Sequence, residues 1–311
     1  MALLDIINLK TYFPSADGLV KAVDAVDLRI ENGERLGLIG ETGCGKTVLG
    51  MSIIRLLSSS TRIQGQIIYK GRDLLGLTED EMRLLRGGEI AMILQNPTTS
   101  LNPVLKVGDQ IAEVIRLHGG LDKKAAKAKA VEMLAATMIP NPLMRADQYP
   151  HELSGGMKER VMIAMGLAGQ PSFVIADEPT RGLDARTKAE IVKLIRDMTA
   201  GRSMLMITHD LKAAGEACDR IAVMYAGELL EIASAELILS DPCHPYTQGF
   251  VHSLPSRGLQ PIPGSSPSLI DPPSGCRFHP RCPRSMDICQ REHPPMIRLH
   301  KGDFVRCFLC T

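Results

Sequence analysis

A glycine-rich run near the start of the chain has the composition of a phosphate-binding loop. It reads Gly40-Glu41-Thr42-Gly43-Cys44-Gly45-Lys46-Thr47 and matches G-x-x-x-x-G-K-[ST] at every defined position. The glycines let successive backbone N–H groups turn toward phosphate oxygens, and Lys46 reaches the outer phosphates. The hydroxyl of Thr47 is placed to bind Mg²⁺. A chance glycine-rich turn is disfavoured because a short apolar run precedes the motif and a helix is predicted after it.

Two adjacent carboxylates supply the second chemical element. Asp177 and Glu178 follow the apolar run 173–176, which predicts a buried strand. Ligands of parallel sheets bind at the carboxyl ends of the strands. We therefore expect Asp177 to hold Mg²⁺ through water and Glu178 to activate the attacking water as a general base. Paired carboxylates are weak support alone, but together with the phosphate loop they predict ATP hydrolysis.

A third element names the family that the chain resembles. Leu153-Ser154-Gly155-Gly156-Met157 opens a predicted helix some twenty residues before the carboxylates. A lone S-G-G run usually caps a helix. In this order of motifs it is similar to the signature of ABC ATPases, and the resemblance covers about residues 1–250. In that family two ATPase domains dimerise head to tail, so the resemblance implies that Ser154, Gly155 and Gly156 act on ATP held by a partner.

The resemblance implies roles for further residues by position. Gln95 matches the glutamine that touches Mg²⁺ or water and senses the membrane domain, and Asp184 matches the D-loop. His209 follows a predicted strand and matches the histidine that contacts the γ-phosphate. Phe13, or alternatively Tyr12, occupies the position where the family stacks an aromatic ring on adenine. A packing role for the aromatic ring and a structural role for the histidine are the alternatives.

Two positions depart from the family pattern. Met157 stands where many ABC proteins have Gln, and Asn96 stands where an acidic residue is common. Neither replaces the lysine, carboxylates or histidine that carry hydrolysis. A competent ATPase is therefore expected.

The implied fold is α/β. We expect a P-loop NTPase domain of the ABC type, with a RecA-like parallel-sheet core, an antiparallel β subdomain and a helical subdomain, followed by a small Cys-rich C-terminal extension. The patterns along the chain agree with this expectation. Strands are predicted at 22–30, 35–39, 65–69, 173–176 and 204–208, and helices at 47–57, 122–139, 154–168 and 186–199. The predicted divisions are an ATPase domain at 1–254 with its helical subdomain at 76–168, a Pro/Gly/Ser-rich linker at 255–275 and the extension at 276–311.

Five of the eight cysteines lie in the last 36 residues, a segment called here the tail (276–311). In a cytosolic protein such crowding indicates a metal rather than disulfides. The spacing Cys276-x5-Cys282-x6-Cys289-x17-Cys307 is wider than the pairs that structural zinc prefers. Four thiolates suit a [4Fe–4S] cluster, and the family's similar tail is associated with one. Zinc and a metal-free tail stay open as alternatives, and Cys310 is the alternative to Cys307 as the fourth ligand.

Further segments resemble the ATPases of dipeptide, oligopeptide and nickel importers. They are residues 96–103, 153–164, 244–247 and 276–283. The resemblance implies a second, different ATPase subunit, two transmembrane permeases, an extracytoplasmic solute-binding protein, and a peripheral position on the cytoplasmic face of the inner membrane. The chain does not specify the solute.

Composition limits the other classes of function. The net charge of +1 and the absence of Trp argue against a nucleic-acid partner. No apolar run approaches the roughly 20 residues that span a bilayer, and Met1 leads directly into a strand pattern, so we expect a cytosolic protein without a secretory signal. The alternatives are a non-hydrolysing regulatory subunit and an ABC-type ATPase that is not coupled to transport.

Overall fold

The computed structural model describes residues 2–299 and 302–310; Met1, His300, Lys301 and Thr311 lie outside the described residues, so the predicted domain at 1–254 and the tail are described except at those positions. The chain forms two compact units. The first unit comprises the chain up to Gly76 together with the chain from Ile207 onward, and the second unit is Leu77–Met206. In the described ranges, no helix combines the length and the apolar character needed to cross a membrane.

The regular elements have the following bounds. The strands are β1 (Ala2–Ser15), β2 (Gly18–Glu31), β3 (Arg35–Ile39), β4 (Arg62–Tyr69), β5 (Arg72–Asp73), β6 (Ile90–Ile93), β7 (Phe173–Asp177), β8 (Ser203–Thr208), β9 (Arg220–Tyr225), β10 (Glu228–Ser234), β11 (Ile297–Arg298) and β12 (Phe304–Val305). The helices are α1 (Lys46–Ile53), α2 (Glu79–Leu85), α3 (Pro97–Ser100), α4 (Val107–Gly119), α5 (Lys123–Ala136), α6 (Pro142–Ala146), α7 (Gly155–Ala168), α8 (Ala185–Met198), α9 (Leu211–Ala217), α10 (Ala235–Ser240), α11 (Pro245–His252) and α12 (Asp287–Arg291).

An antiparallel sheet in the order β2-β1-β4-β5 forms one part of the first unit. Strands β1 and β2 form a long hairpin whose pairing runs from Ala2↔Glu31 to Ser15↔Gly18. The buried face of β1 carries Leu4, Ile6 and Leu9, each at most 1% exposed. Apolar side chains on one face of a half-buried strand favour this pairing.

A second sheet of the first unit has the strand order β11-β12-β10-β9-β3. Strand β3 runs parallel to β9, and β9 and β10 form an antiparallel hairpin. The hairpin turn contains Ala226 at φ 46° and Gly227 at φ 86°, the left-handed pair that a two-residue turn of this type requires. The tail adds β11 and β12 to this sheet through the pairing Glu231↔Val305.

The tail also shares the apolar core of the first unit. The ring of Phe278 is fully buried and lies edge-on to Tyr225, with 5.4 Å between the ring centroids. Its centroid is also 5.4 Å from that of Tyr246 in α11. A segment of this length has little apolar core of its own. These ring contacts pack the tail against the rest of the first unit.

In the second unit the strand order is β8-β7-β6, and β6 runs parallel to β7 in the register Ile90↔Phe173 to Ile93↔Ala176. The sequence predicts a helical subdomain at 76–168, and β6 lies within that range. Ile90 and Ile93 are buried. Parallel pairing with β7 therefore decides the local structure of this short apolar run.

Most predicted boundaries agree with the structure to within a few residues. Strand β3 has the predicted bounds, β7 differs from prediction by one residue at its end, and α8 differs by one residue at each end. Helix α1 ends at Ile53, earlier than predicted. Shortly after it Arg55 adopts a left-handed φ of 53°, which cannot continue a right-handed helix.

Candidate nucleotide-binding residues and cysteine cavity

The phosphate loop (residues 40–47) connects β3 to α1, as the motif predicts. Gly45 caps α1 at φ 111°, and a Cβ atom there would lie 2.0 Å from the carbonyl oxygen of Ala22. A Cβ atom on Gly40 would lie 2.1 Å from the carbonyl oxygen of Met224. Both positions therefore accept only glycine. The loop is enclosed by β2 and β9, and this enclosure fixes its curl.

Lys46 is held inside its own loop. Its Nζ donates hydrogen bonds to the carbonyl oxygens of Gly40 at 2.7 Å and of Glu41 at 3.0 Å. The residue is only 6% exposed. The ammonium group is thus already positioned beside the N-terminus of α1, where phosphate binding is favourable. Thr42, Gly43 and Thr47 are exposed along the same loop.

The two candidate adenine-stacking residues have different environments. The hydroxyl of Tyr12 donates a hydrogen bond to the carboxylate of Asp24. Burial, together with that carboxylate, raises the pKa of Tyr12. Phe13 follows on β1, pairs with Val20 and is partly buried. Both rings are partly buried, and only that of Tyr12 is fixed through a hydroxyl hydrogen bond.

The acidic pair lies at the end of β7 in the second unit. Asp177 is the last strand residue, and both Asp177 and Glu178 are buried. Glu178 has a φ of 48°, in the left-handed region that a non-glycine residue rarely adopts. Strain of this kind persists where the surroundings enforce it and is concentrated at functional sites.

The signature residues begin α7, a helix of 14 residues. Ser154 is its N-cap, and the Ser154 hydroxyl accepts a hydrogen bond from the backbone N–H of Met157 at 3.4 Å. Ser154 and Gly155 are exposed, and Gly156 is half-buried. A helix start with an exposed hydroxyl and free approach to its first turn suits a phosphate supplied from outside the chain.

Two other predicted residues of the second unit lie next to element ends. Gln95 follows β6 and is half-buried. Asp184 caps α8 and accepts hydrogen bonds from Arg186 N at 3.1 Å and Thr187 N at 3.0 Å. The hydrogen bonds from Thr187 lower the pKa of Asp184. The unusual Asn96 has a local explanation, because its side chain accepts a hydrogen bond from Thr98 N at 3.0 Å and caps α3.

The structure thus distributes the predicted nucleotide residues between its two units. His209 is exposed and directly follows β8. The first unit contains Phe13, the phosphate loop and His209; the second unit contains Gln95, Ser154, Gly155, Gly156, Asp177, Glu178 and Asp184.

Four cysteines of the tail line one cavity of the first unit, together with His244; this is called here the cysteine cavity. The four are Cys276, Cys282, Cys289 and Cys307. Burial raises the pKa of Cys276 to about 11. A hydrogen bond from Cys310 lowers the pKa of Cys307 to about 7.

Cys310 lies beside the cysteine cavity. Its Sγ is 3.5 Å from the carbonyl oxygen of Cys243. All eight cysteines are free of disulfides. Within the described residues, no group of three or more His, Cys, Asp or Glu side chains is arranged to hold a metal ion.

His244 presents an unsatisfied donor to the cysteine cavity. The residue is 1% exposed, and its Nδ1 accepts a hydrogen bond from the backbone N–H of Tyr246 at 3.0 Å. Burial lowers the pKa of His244 to about 3, so the ring is neutral and carries its proton on Nε2. Nε2 has no hydrogen-bond partner among the described residues. A sulfur-rich group in the cavity would supply the missing acceptor, so the side chains present fit such a group.

Sequence patterns gave no sign of a buried acid in the signature helix. Glu159 lies in α7, is 2% exposed, and its Oε2 has no hydrogen-bond partner in the part of the chain that the structure describes. Burial raises the pKa of Glu159 to about 8, above the usual 4.5. At a pH between 4.5 and about 8, Glu159 stays protonated in the folded chain but is ionised in the unfolded chain. Stability therefore falls as pH rises through that window.

We expect Glu159→Gln to stabilise the protein at alkaline pH. A neutral amide removes the cost of ionising a buried carboxylate, so the gain at pH 9 should be roughly 1–3 kcal/mol. The gain should shrink as pH falls toward 5, where the native Glu159 is protonated. Thermal unfolding of both proteins at several pH values measures this effect, with the exposed Glu113→Gln as control. A stability difference that does not depend on pH would contradict the assignment.

Comparison with known proteins identifies the family of the chain. The family model described as ABC transporter matches residues 23–181, and the model described as oligopeptide/dipeptide transporter, C-terminal region, matches residues 230–289. The oligopeptide transport ATP-binding protein AppD of Bacillus subtilis is 43% identical over 99% of this chain and 96% of its own length. The oligopeptide transport ATP-binding protein OppD of Salmonella typhimurium is 41% identical over 98% of this chain and 93% of its own.

Solved structures show the same fold. A dimeric ATP-binding cassette in a post-hydrolysis state, bound to ADP and Pi, superposes with a TM-score of 0.68 at 24% identity, covering 75% of this chain and 98% of that one. The protein cbiO1 of Clostridium perfringens, part of the cbiONQ transporter complex, gives a TM-score of 0.64 at 25% identity, covering 77% and 91%. Motifs, fold and relatives agree: the chain belongs to the ABC transporter family, as one of its ATP-binding cassette subunits.

Proposed function

We propose that the chain is the ATP-hydrolysing subunit that powers an importer for dipeptides, oligopeptides or related small solutes such as nickel. One observation carries the hydrolytic part: the buried Glu178 follows Asp177 at the end of β7 in a strained conformation, in a chain that also holds an intact phosphate loop. The names of relatives more than 40% identical over nearly their whole length support the peptide cargo. The cargo itself would be selected by other subunits.

Each group of residues has a role in this proposal. Lys46 and the loop N–H groups bind the β- and γ-phosphates, while Thr47, Asp177 and Gln95 hold Mg²⁺, which supplies charge neutralisation at the phosphates. Glu178 orients and deprotonates the attacking water. His209 contacts the γ-phosphate. Phe13 stacks on the adenine ring.

The proposed assembly is a head-to-tail pair of ATPase subunits. The exposed Ser154 and Gly155 at the start of α7 support a role toward phosphates held by a partner, together with Gly156, and Asp184 lies in the D-loop position. The partner would be a second, different ATPase subunit. Two permeases would anchor the pair on the cytoplasmic face of the inner membrane, and a solute-binding protein would deliver the cargo from outside. Closure on ATP and reopening after hydrolysis would drive transport.

Deleting the gene and restoring it with variants tests the transport function. Uptake of labelled dipeptides, oligopeptides and nickel is measured in the deletion strain. Uptake of the solute that this transporter carries should fall, and the wild-type gene should restore it. A Glu178→Gln gene should not restore uptake. Unchanged uptake of every solute in the deletion strain would favour the alternative, an ABC-type ATPase not coupled to transport. Restoration by Glu178→Gln would favour a regulatory subunit that does not hydrolyse ATP.

We also propose that Cys276, Cys282, Cys289 and Cys307 hold a [4Fe–4S] cluster. Two observations support it: the four thiols line one cavity, and the Nε2–H donor of His244 lacks an acceptor there. The position of Cys310 beside Cys243 favours Cys307 as the fourth ligand. In such a cluster the thiolates bind different iron atoms, so they need not converge on a single ion.

Anaerobic purification tests the cluster. The protein should be brown, absorb broadly near ~400 nm and contain about four irons, and Cys282→Ser should lose most of the iron. Cys218→Ser, at a buried cysteine outside the tail, is the matched control and should keep it. His244→Phe should retain iron but lower the reduction potential, because hydrogen bonds to sulfur favour the reduced state. Stoichiometric zinc without iron, or a metal-free native protein, would rule out the cluster.

A further inference from the structure

Two buried arginines stand between two cysteines of the tail. The segment reads Cys276-Arg277-Phe278-His279-Pro280-Arg281-Cys282, and the side chains of Arg277 and Arg281 are each 7% exposed. Buried arginines need several acceptors, because an unpaired charge in a dry environment is costly. Arg281 finds an acceptor in the phosphate loop, and Arg277 finds acceptors on β2 and the β9–β10 hairpin next to that loop.

Arg281 forms an ion pair with Glu41 of the phosphate loop. Its Nη1 lies 2.9 Å from Oε2 of Glu41, and its Nη2 lies 3.0 Å from Oε1, a two-point pairing. The guanidinium also lies over the Tyr225 ring at 5.7 Å, and its Nε donates to the carbonyl oxygen of Pro263 at 2.8 Å. Glu41 is the second residue of the loop. The arginine is thus fixed on several sides and holds one definite side chain of the loop.

Two further groups outside the loop hold the same residue. The hydroxyl of Tyr246 accepts a hydrogen bond from the backbone N–H of Glu41 at 3.0 Å, and the hydroxyl of Ser266 donates to the Glu41 carboxylate. Tyr246 lies in α11, and Ser266 lies in the predicted linker 255–275. Three separate segments of the C-terminal part therefore meet at one loop residue.

Arg277 binds β2 and the β9–β10 hairpin, which lie beside the loop. It pairs with Asp24 of β2 and, through Nε, with Glu228 at 3.0 Å. Asp24 also accepts the hydrogen bond from Tyr12, next to the candidate adenine-stacking residue. The backbone N–H of Gly227 donates to the carbonyl oxygen of Cys44 in the phosphate loop at 2.9 Å. Arg277 also donates to the carbonyl oxygen of Ala226, so it joins β2 to the β9–β10 turn, and that turn in turn bonds to the loop.

A glycine-rich loop has many accessible backbone conformations, and phosphate binding requires one of them. Buried ion pairs often add little net stability, so stability alone does not explain a double pairing at a binding loop. We infer that Arg277 and Arg281 are positioning residues of the nucleotide site: the tail holds the phosphate loop in its binding shape and thereby raises ATP affinity. The inference rests on the proposed ATP-binding role of this loop.

Binding measurements on the full chain test the positioning role. Arg281→Gln and Glu41→Gln should each raise the Kd for a fluorescent ATP analogue and the KM for ATP by about 10- to 100-fold. The kcat at saturating ATP should change less than about threefold, because the hydrolytic groups lie elsewhere in the chain. The double variant should be no worse than the singles, since both remove the same pairing. Arg291→Gln is the matched tail control, because that side chain is 76% exposed.

The outcomes separate the possibilities. A folded Arg281→Gln protein that binds ATP as tightly as Arg291→Gln would overturn the inference, as would additive effects of Arg281→Gln and Glu41→Gln. If Arg281→Gln does not fold, the near-isosteric Glu41→Gln decides alone, with a normal Kd counting against the inference. If the wild-type protein binds ATP but never hydrolyses it, the proposed function fails while the binding test stands.

Discussion

Replacing Glu178 by Gln is expected to lower the turnover of ATP by about 10²- to 10⁴-fold, the usual contribution of a positioned general base. The amide has nearly the same size and can still form hydrogen bonds, but it cannot accept the proton of the attacking water. ATP binding should persist, because the phosphates are held by the loop at 40–47. Phosphate release measured beside equilibrium ATP binding separates the two effects.

The matched control for this variant is Glu113→Gln, an exposed glutamate of α4 in the same unit. It should leave both turnover and binding unchanged. Near-normal hydrolysis in Glu178→Gln would remove Glu178 from the role of general base, and its φ of 48° would then need another explanation.

The second large effect is expected at Lys46. Changing Lys46 to Met keeps much of the side-chain volume but removes the ammonium group that bonds to Gly40 and Glu41 inside the loop. The variant loses both the direct charge on the phosphates and part of the order of the loop. The Kd for ATP should therefore rise by about 100-fold. Titration with a fluorescent ATP analogue measures this rise.

Lys212→Met provides the comparison, because that lysine lies in the same unit with its side chain 81% exposed. It should bind ATP normally. Equal affinities of the two variants would show that the phosphate loop does not bind the nucleotide through Lys46.

Local sequence signals predicted many regular elements near the candidate site. Arg35–Ile39 and Phe173–Asp177 are short apolar runs with charged or glycine-rich ends, and buried parallel strands have this composition. The loop between β3 and α1 follows from its glycines, which the structure shows to be sterically required at positions 40 and 45. Ser154 and Asp184 precede helices as side chains of their type commonly do.

Elements decided by distant pairing could not be predicted in this way. Strand β6 is short, and its partner β7 lies about 80 residues later in the register Ile90↔Phe173. Strands β11 and β12 have two residues each; β12 is fixed by pairing with β10, and β11 by pairing with β12. Such short runs carry no periodicity, so only the tertiary context identifies them.

Several functional candidates were not predicted from the sequence for the same reason: their contacts depend on residues far away along the chain. The pairing of Glu41 with Arg281 spans 240 positions along the chain. In the sequence, the only sign of this pairing is that two arginines lie between Cys276 and Cys282. His244 belonged to a segment that suggested the family, but its unsatisfied Nε2 becomes visible only when the cysteine cavity surrounds it. Glu159 looks like an ordinary helix residue until its burial is known.

The central claim is that this chain hydrolyses ATP to drive an importer. The most direct measurement is ATP turnover by the chain reconstituted in proteoliposomes with its partner ATPase, the permeases and the cargo-loaded binding protein. We expect hydrolysis to rise when the loaded binding protein is added, and Glu178→Gln in this chain to abolish most of that rise together with cargo uptake. Hydrolysis and uptake that persist at the wild-type rate with Glu178→Gln would contradict this claim.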